Sequence, residues 1–362
     1  MTRRIGFARW RSDSASGGNR YDDDLSAAFR ELELDVREYP IAGSWPTPEP
    51  DDRRAFARVL AAERHWLVDN IVASAAPEAV ASAVSSGCRV TVLMHYFPAD
   101  DPSLSAADRA RLAEDEAAAL AAASEVVTSS EWAAREVAAR YGRPDAVPAV
   151  PGVGRAPRAP GSLGDPATRE GESGGESERE IGESDTPMLL WLGRVTETKD
   201  PLTLVEALGA VRDLSWTACL VGPDTVDEAL GRRVRDRLAE LGIASRVEMP
   251  GMRGGEALAA IWARADLLVH TSRTETYGMV VSEALARGVP SVVSEGTGAV
   301  EAQRGAGATF PVGDARALAA ELRAWLDDPA LRARWRRDAR ERREHLPAWS
   351  DTARTIAEVL TR

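Results

Sequence analysis

The sequence contains two cysteines and a single lysine, and both scarcities carry information. Cys88 and Cys219 lie in apolar surroundings and have no metal-ligand spacing, which excludes disulfide scaffolds and zinc ribbons. No uninterrupted apolar run approaches the ~18 residues needed to span a bilayer. The N-terminus leads directly into a strand pattern without the apolar region of a signal peptide. We therefore expect a cytoplasmic protein with no integral membrane segment.

Lysine is so rare that its one occurrence deserves to be followed. Of the 45 basic residues, one is Lys199 and the other 44 are arginine. Codon usage in a GC-rich genome accounts for such a bias. A lysine that persists despite this codon bias more often occupies a position where arginine cannot replace it. Lys199 is therefore a candidate functional residue.

The net charge of −12 is concentrated in one short segment. Residues 161–187 carry eight acids and two bases, which is half of the excess, and both flanking regions are close to neutral. Neutral flanks exclude broad electrostatic binding of nucleic acid or anionic lipid. The sequence around this segment is rich in Gly, Ser, Pro and Glu and cannot bury much apolar surface. We predict a flexible linker at 155–187, with an acidic docking segment as the alternative.

Short apolar runs alternate with amphipathic helical patterns on both sides of the linker. Strands are predicted at 5–10, 90–94 and 126–129 before it, and at 188–192, 216–221, 267–270 and 291–293 after it. This alternation predicts an α/β protein with two doubly wound, Rossmann-like domains, at 1–154 and 188–346. Ligands bind such sheets at the carboxyl ends of the strands, so the loops there are the places to look for chemistry.

The loop after the strand at 188–192 carries Gly193, Arg194 and Lys199. An arginine fork and a lysine point charge together suit a diphosphate, although two solvated surface cations remain an alternative. A second loop follows the strand at 267–270, and a helix is predicted to begin just after Gly278, which provides an anion-binding N-terminus. Glu275 and Glu283 flank this helix start, where they could bind a sugar and a ribose or, alternatively, cap the helix and face solvent.

Together these motifs resemble the retaining glycosyltransferases of family 4, which have the GT-B architecture of two domains facing a central cleft. The resemblance rests on motifs in the family's order, most closely over 188–315: G-R-x4-K at 193–199, L-V-G-P at 220–223, A-D-L-L-V-H-T-S at 265–272, E-x7-E at 275–283, G-V-P-S-V-V at 288–293 and G-A-V-E at 298–301. No G-x-G-x-x-G follows any predicted strand, unlike in doubly wound dehydrogenases. The resemblance also implies that a C-terminal helix, 347–362, returns to the N-terminal domain.

The resemblance implies a role for each matching residue. Arg194 and Lys199 would hold the donor diphosphate, Glu275 the sugar and Glu283 the ribose. The backbone around Gly193 and the amides of Gly278, Met279 and Val280 would contact phosphate or sugar oxygens, and the Met252 backbone would meet the base. In the N-terminal domain, Gly17 and Gly18 belong to a Gly-rich loop, Ser16–Asn19, that approaches the phosphates, and His95 would reach the reaction centre. A buried, hydrogen-bonded imidazole is the alternative for His95.

The chain departs from the family pattern at three positions. His270 stands in place of the usual proline, Thr297 in place of a glycine, and the segment 151–154 lacks the usual asparagine. The acidic run Asp22–Asp24 could be mistaken for a metal-binding D-x-D motif, but we interpret it as the start of a helix. The arginine-rich stretch 332–343 is interpreted as a solvated helix face.

The resemblance implies a metal-independent hexosyltransferase that uses a nucleotide sugar as co-substrate and needs no other cofactor. It would transfer the sugar, with retention, to a hydroxyl or amine of a small-molecule, glycan or lipid-linked acceptor. Two alternatives remain. One is another GT-B enzyme, a sugar-nucleotide epimerase or a glycoside phosphorylase, and the other is a catalytically silent partner subunit.

Overall fold

The computed structural model describes residues 4–10, 17–162 and 186–362, and the chain divides into two compact units. The first unit comprises Met1–Val153, Glu275–Tyr277 and Pro347–Arg362. The second comprises Gly154–Thr274 and Gly278–Leu346. Most of the predicted linker, 163–185, lies outside the described residues, as does Ser16 of the predicted Gly-rich loop.

The first unit is built on a six-stranded parallel sheet with strand order β2-β1-β3-β4-β5-β6. The strands are β1 (Ile5–Trp10), β2 (Val36–Ile41), β3 (His65–Asp69), β4 (Arg89–Met94), β5 (Glu125–Thr128) and β6 (Val147–Pro148). The central strands are mostly apolar in their middle positions, as expected for a sheet covered on both faces. Their side chains pack with aromatic residues such as Phe56 and Trp66, both 0% exposed, in a single core cluster.

Helices alternate with these strands. They are α1 (Gly17–Glu31), α2 (Pro50–Leu60), α3 (Asn70–Ala73), α4 (Pro77–Ser85), α5 (Ala106–Ala122) and α6 (Glu131–Tyr141). Serine hydroxyls cap two of them, because Ser105 accepts a hydrogen bond from the Asp108 amide and Ser130 from the Ala133 amide. Helix α6 ends at Gly142, whose φ of 65° is the left-handed conformation that glycine favours.

The second unit contains another six-stranded parallel sheet, with order β12-β11-β10-β7-β8-β9. Its strands are β7 (Met188–Leu192), β8 (Thr217–Val221), β9 (Val247–Gly251), β10 (Leu267–His270), β11 (Ser291–Ser294) and β12 (Gly307–Phe310). Its helices are α7 (Pro201–Ala210), α8 (Glu228–Glu240), α9 (Gly255–Arg264), α10 (Met279–Ala286), α11 (Ala299–Gln303), α12 (Ala315–Asp327) and α13 (Pro329–Arg343). The prediction of two doubly wound α/β sheets is confirmed.

The end of the chain belongs to the first unit. Helix α14 (Trp349–Thr361) packs on α1, where the rings of Tyr21 and Trp349 meet edge to face at 5.1 Å. The Thr352 hydroxyl donates to the Val150 carbonyl at 2.7 Å. These contacts tie the last helix to the segment that follows β6.

The described beginning of the predicted linker is ordered against the second unit, which differs from the flexible conformation expected from its composition. The Ala159 amide donates to Arg287 O at 2.9 Å, and Ser162 is 6% exposed. The Ser162 amide donates to the Asp266 carboxylate at 3.2 Å, and Arg336 forms an ion pair with the same carboxylate at 3.0 Å. The composition of the segment does not predict this order, because the polar partners of the segment come from a buried pair elsewhere in the chain, Asp266 and Arg336.

Candidate active site

Three neighbouring strands of the second sheet end in glycines that allow close backbone contact. The Gly222 amide donates to the Gly251 carbonyl at 3.1 Å, across β8 and β9. Gly222 has a φ of +148°, and a Cβ there would lie 1.8 Å from the Gly193 carbonyl oxygen. A side chain at 222 would therefore push away the start of the Gly193–Asp200 loop.

The Gly193–Asp200 loop ends in a buried helix cap. Asp200 is 4% exposed, has a left-handed φ of 45°, and caps α7 by accepting from the Thr203 amide at 3.3 Å and the Thr203 hydroxyl at 2.8 Å. The same carboxylate forms an ion pair with Arg273 at 2.9 Å. Asp200, which directly follows Lys199, is thus held by Thr203 and by Arg273.

Thr271 connects this loop to the one that follows β10. Its side chain is completely buried, and its hydroxyl accepts from the Trp191 indole N–H at 3.0 Å and donates to the Lys199 carbonyl at 2.9 Å. The Arg273 amide also donates to the Thr198 carbonyl at 2.8 Å. The structure therefore brings the predicted Arg194–Lys199 loop against the loop that leads to Gly278.

Gly278 begins helix α10 in the left-handed conformation, with φ of 86°. The first amides of a helix have no intrahelical acceptor and carry the positive end of the dipole, so the predicted role of Gly278, Met279 and Val280 in anion binding is compatible with their position. Glu283 lies one turn into α10 and is 6% exposed, so it does not face bulk solvent as the alternative interpretation had it.

Met252 lies apart from these two loops. It follows the edge strand β9, on the far side of β8 from the Lys199 loop, and its side chain is 62% exposed. A contact made by its backbone, as the resemblance implies, does not require the side chain to be buried. Its predicted role in base binding stays a prediction.

In the first unit, His95 directly follows β4 and lies between two acids. Its Nε2 is 3.4 Å from Asp22 Oδ1 and 3.6 Å from Asp69 Oδ1, and all three side chains are at most 4% exposed. Asp69 ends β3, which neighbours β4 in the sheet. Our prediction that Asp22–Asp24 start a helix was wrong: α1 begins at Gly17, so Asp22 lies within it and turns its carboxylate into the protein.

The two carboxylates determine the charge of the imidazole. Burial by itself lowers the pKa of His95, but the charges of Asp69 and Asp22 outweigh it and raise that pKa to about 9. Burial also raises the pKa of Asp22, to about 6, against the opposing effect of His95. The two carboxylates therefore favour the charged form of the imidazole.

The predicted Gly-rich loop overlaps the first turn of α1. A Cβ on Gly18 would lie 2.9 Å from His95 Cε1, whereas a Cβ on Gly17 would meet none of the described residues within 4 Å. Gly18 therefore makes room for the imidazole. The structure brings Gly18 and His95 together, and the roles that the resemblance implies for them stay predictions.

The backbone of His95 is fixed on both sides. The His95 amide donates to Asn70 Oδ1 at 3.2 Å, and the Thr276 hydroxyl donates to the His95 carbonyl at 2.8 Å. Thr276 is the neighbour of Glu275, and the segment Glu275–Tyr277 belongs to the first unit together with His95. Glu275 itself is half-buried.

The buried carboxyl group of Glu116 lies beside Asn70, the residue that accepts a hydrogen bond from the His95 amide. Glu116 is 0% exposed and accepts from the Ser74 hydroxyl at 3.0 Å and the Tyr141 hydroxyl at 2.5 Å. Asn70 Nδ2 donates to the Tyr96 carbonyl at 2.6 Å and lies 3.5 Å from Glu116. Burial raises the pKa of Glu116 to about 7, against these hydrogen bonds. Sequence reasoning missed Glu116, which sits in an Ala-rich helix without any motif.

Residues 175–342 match the family model described as glycosyl transferases group 1. Among solved structures, sucrose-phosphate synthase from Thermosynechococcus elongatus aligns with a TM-score of 0.77 at 20% identity, over 99% of this chain and 98% of that one. HepE of Anabaena, in complex with UDP and glucose, aligns with a TM-score of 0.74 at 17% identity, over 99% of both chains. The chain has the GT-B fold.

Curated relatives of this GT-B protein match over a shorter stretch. D-inositol 3-phosphate glycosyltransferase from Thermobispora bispora is 32% identical over 187 residues, which are 49% of this chain and 44% of the relative. The chain therefore spans somewhat less than half of the length of that relative. Among the residues that the structure describes, none of the helices is both long and apolar enough to cross a membrane.

Proposed function

We propose that this protein is a retaining glycosyltransferase that moves a sugar from a nucleoside-diphosphate donor to a hydroxyl or amine acceptor. The match to glycosyl transferases group 1 over residues 175–342 and the GT-B fold both support the reaction class. The observation that carries the proposal is the hydrogen bond from Thr271 to the Lys199 carbonyl, at 2.9 Å. It holds a lysine-bearing loop beside the loop that opens helix α10.

In this proposal the predicted site residues of the second unit bind the donor. Arg194 and Lys199 bind the diphosphate, and the amides of Gly278, Met279 and Val280 supply further donors at the helix start. Glu283 binds the ribose, and the backbone at Met252 meets the base. In the first unit, Glu275 and His95 are assigned to the transferred sugar.

The chemistry is the exchange of one glycosidic bond for another. The bond between the anomeric carbon and the diphosphate oxygen breaks, and the acceptor oxygen or nitrogen forms a bond on the same face of the sugar. The departing diphosphate takes the acceptor proton. Negative charge grows on the leaving oxygens, so cations and helix amides placed around them stabilise the transition state more than the ground state.

Ligand binding tests the donor class first. Thermal unfolding is measured with UDP, GDP, ADP and dTDP in turn, because a ligand at 100 times its dissociation constant adds about 2.7 kcal/mol to stability. We expect one of them to raise the melting temperature, and glucose alone to leave it unchanged. Stabilisation by none of the four would contradict the proposal.

Mutation of Lys199 tests the diphosphate assignment. A charge-assisted hydrogen bond contributes about 1.5–3 kcal/mol, so Lys199→Ala should lower turnover at least about tenfold and weaken binding of the preferred nucleoside diphosphate. Arg337→Ala, which removes an exposed cation on α13, is the matched control and should change neither. Full turnover by Lys199→Ala would refute the assignment.

Incubation with the donor alone separates the transferase from its alternatives. An epimerase converts the nucleotide sugar without any acceptor, and a glycoside phosphorylase requires inorganic phosphate. We expect a new glycoside that appears with an added acceptor and keeps the anomeric configuration of the donor, as read by NMR. Inversion of that configuration would refute the retaining mechanism.

A further inference from the structure

One buried side chain contacts the backbone on both sides of the peptide bond that joins His95 and Tyr96. Asn70 is completely buried; its Oδ1 accepts from the His95 amide at 3.2 Å, and its Nδ2 donates to the Tyr96 carbonyl at 2.6 Å. Asn70 directly follows β3, whereas His95 and Tyr96 directly follow β4, the neighbouring strand. A single amide group therefore joins the ends of two strands and fixes the backbone of the first two residues after β4.

Asn70 and the residue before it divide the contacts with His95. Asp69 Oδ1 lies 3.6 Å from Nε2 of the His95 ring, whereas Asn70 binds the main chain. The Thr276 hydroxyl, which donates to the His95 carbonyl at 2.8 Å, holds the other end of the residue. Because the backbone sets the point from which a side chain extends, the hydrogen bond from the His95 amide to Asn70 helps to fix where the imidazole lies.

Glu116 determines which way round the Asn70 amide lies. At about pH 8, above the pKa of about 7 that burial gives this carboxyl group, it is ionised and only accepts hydrogen bonds. Its Oε2 lies 3.5 Å from Asn70 Nδ2, and it accepts from the hydroxyls of Ser74 at 3.0 Å and Tyr141 at 2.5 Å. An Asn70 amide turned over would place Oδ1 against this carboxylate and Nδ2 against the His95 amide. Both contacts would be repulsive, so Glu116 keeps the acceptor atom of Asn70 on the His95 side.

We propose that Asn70 and Glu116 are positioning residues of the active site: Asn70 holds the His95 backbone, and Glu116 holds Asn70. Both side chains are completely buried, so they act through His95 rather than on a substrate. The inference rests on the proposed function, which assigns His95 to the transferred sugar. Misplacement of a reacting group by about 1 Å can cost about 100-fold in rate. Loss of this hold should therefore lower kcat and leave the binding of nucleoside diphosphate, which is assigned to the second unit, unchanged.

Asn70→Asp tests the hold without changing the size of the side chain. The variant keeps an oxygen for the His95 amide, but its second oxygen faces the Tyr96 carbonyl and the Glu116 carboxylate, which also only accept. We expect kcat at about pH 8 to fall at least about tenfold. The melting shift given by whichever of UDP, GDP, ADP and dTDP stabilises the parent protein should stay the same. Asp115→Asn, a change at the neighbouring, 25% exposed carboxylate of α5, is the matched control and should keep the parental kcat.

Addition of Glu116→Gln to Asn70→Asp tests the link between the two residues. In the double variant the amide stands at position 116 and the carboxylate at position 70, so a donor again faces an acceptor. Residues in contact are energetically coupled, so the double variant should regain at least about threefold in kcat over Asn70→Asp. A kcat no higher than that of Asn70→Asp would overturn the role of Glu116.

The NMR signals of His95 give a readout that does not depend on turnover. The chain has four histidines, so their signals can be resolved and assigned. The amide and ring signals of His95 should move in Asn70→Asp and return towards the parental positions in the double variant, while those of exposed His345 stay in place. Glu116→Gln alone should shift the His95 amide signal through Asn70, so the test stands even if Asn70→Asp does not fold.

Two results would overturn the inference: a parental kcat in Asn70→Asp, or His95 signals that stay in place in both single variants. An absence of turnover by the parent protein with every donor is a different result, because it contradicts the proposed function. In that case the His95 signals decide by themselves whether Asn70 and Glu116 hold His95.

Discussion

Replacing Thr271 by valine isolates the hydrogen bonds that join the two loops of the second unit. Valine has nearly the same shape, so the change creates little cavity and removes the hydroxyl. The Trp191 indole N–H then loses its acceptor in a residue that is 2% exposed, whereas Lys199, whose carbonyl loses its donor, is a half-buried residue. An unsatisfied buried donor costs about 1–3 kcal/mol. We therefore expect a loss of about 2 kcal/mol in the free energy of unfolding.

Urea unfolding followed by tryptophan fluorescence measures this loss, with Thr271→Ser as the matched variant. Serine keeps the hydroxyl and loses one methyl group, which costs about 0.8 kcal/mol. Thr271→Val should therefore be the less stable of the two, and it should also bind the preferred nucleoside diphosphate more weakly because the Lys199 loop is no longer held. If Thr271→Val were as stable as the parent protein, the hydroxyl would have no such role.

Two further predictions concern Glu116 and Gly222. The pKa of Glu116 is raised from 4.5 to about 7, so its protonated form favours the fold; this stability is present below pH 4.5 and lost as pH rises through about 7. Relative to Glu116→Gln, the free energy of unfolding of the parent protein should fall by up to about 1.4 kcal/mol per pH unit in this window. Urea unfolding of both proteins at about pH 5 and about pH 8 measures this change. If the difference in stability between the two proteins were the same at both pH values, the reasoning would be wrong. Gly222→Ala places a Cβ 1.8 Å from the Gly193 carbonyl oxygen. It should lower the free energy of unfolding by more than the about 1–2 kcal/mol that a left-handed backbone conformation costs an alanine. Gly242→Ala, at a glycine with φ of +69° and no atom of the described residues within 4 Å of the added Cβ, is the control. Equal melting temperatures of the two variants would contradict the prediction.

Four strands of the second unit and the loops that carry its candidate site residues were predictable, because those loops directly follow the strands. The strands at β7, β8, β10 and β11 are short apolar runs bounded by glycine or polar residues, and the structure has them within about one residue of the predicted bounds. Parallel strands place their following loops on one edge, so the neighbourhood of Lys199 and Gly278 followed from strand recognition. The hydroxyl of Thr271 could not be predicted, because its partners depend on which strands are neighbours.

In the first unit, three strands were not predicted from the sequence: β2, β3 and the two-residue β6. Strand β2, with the sequence VREYPI, has two adjacent charged residues, Arg37 and Glu38, and contains a proline, which an edge strand tolerates. Strand β3, with the sequence HWLVD, has three apolar residues between polar ends, too short a run to stand out from the preceding helix. Because β3 was not predicted, Asp69 was not recognised as the end of a strand.

That omission explains why the His95 cluster was not foreseen. The acidic run at Asp22 was judged by its local preference for a helix start, but the helix begins five residues earlier and burial of Asp22 is decided by its neighbours in space. Asp69 and His95 belong to adjacent strands, and both directly occupy the carboxyl edge of the sheet. Recognition of β3 alone would have placed Asp69 beside His95 by the same edge rule that located Lys199. The position of Asp22 required more, since it depends on how α1 packs after β1.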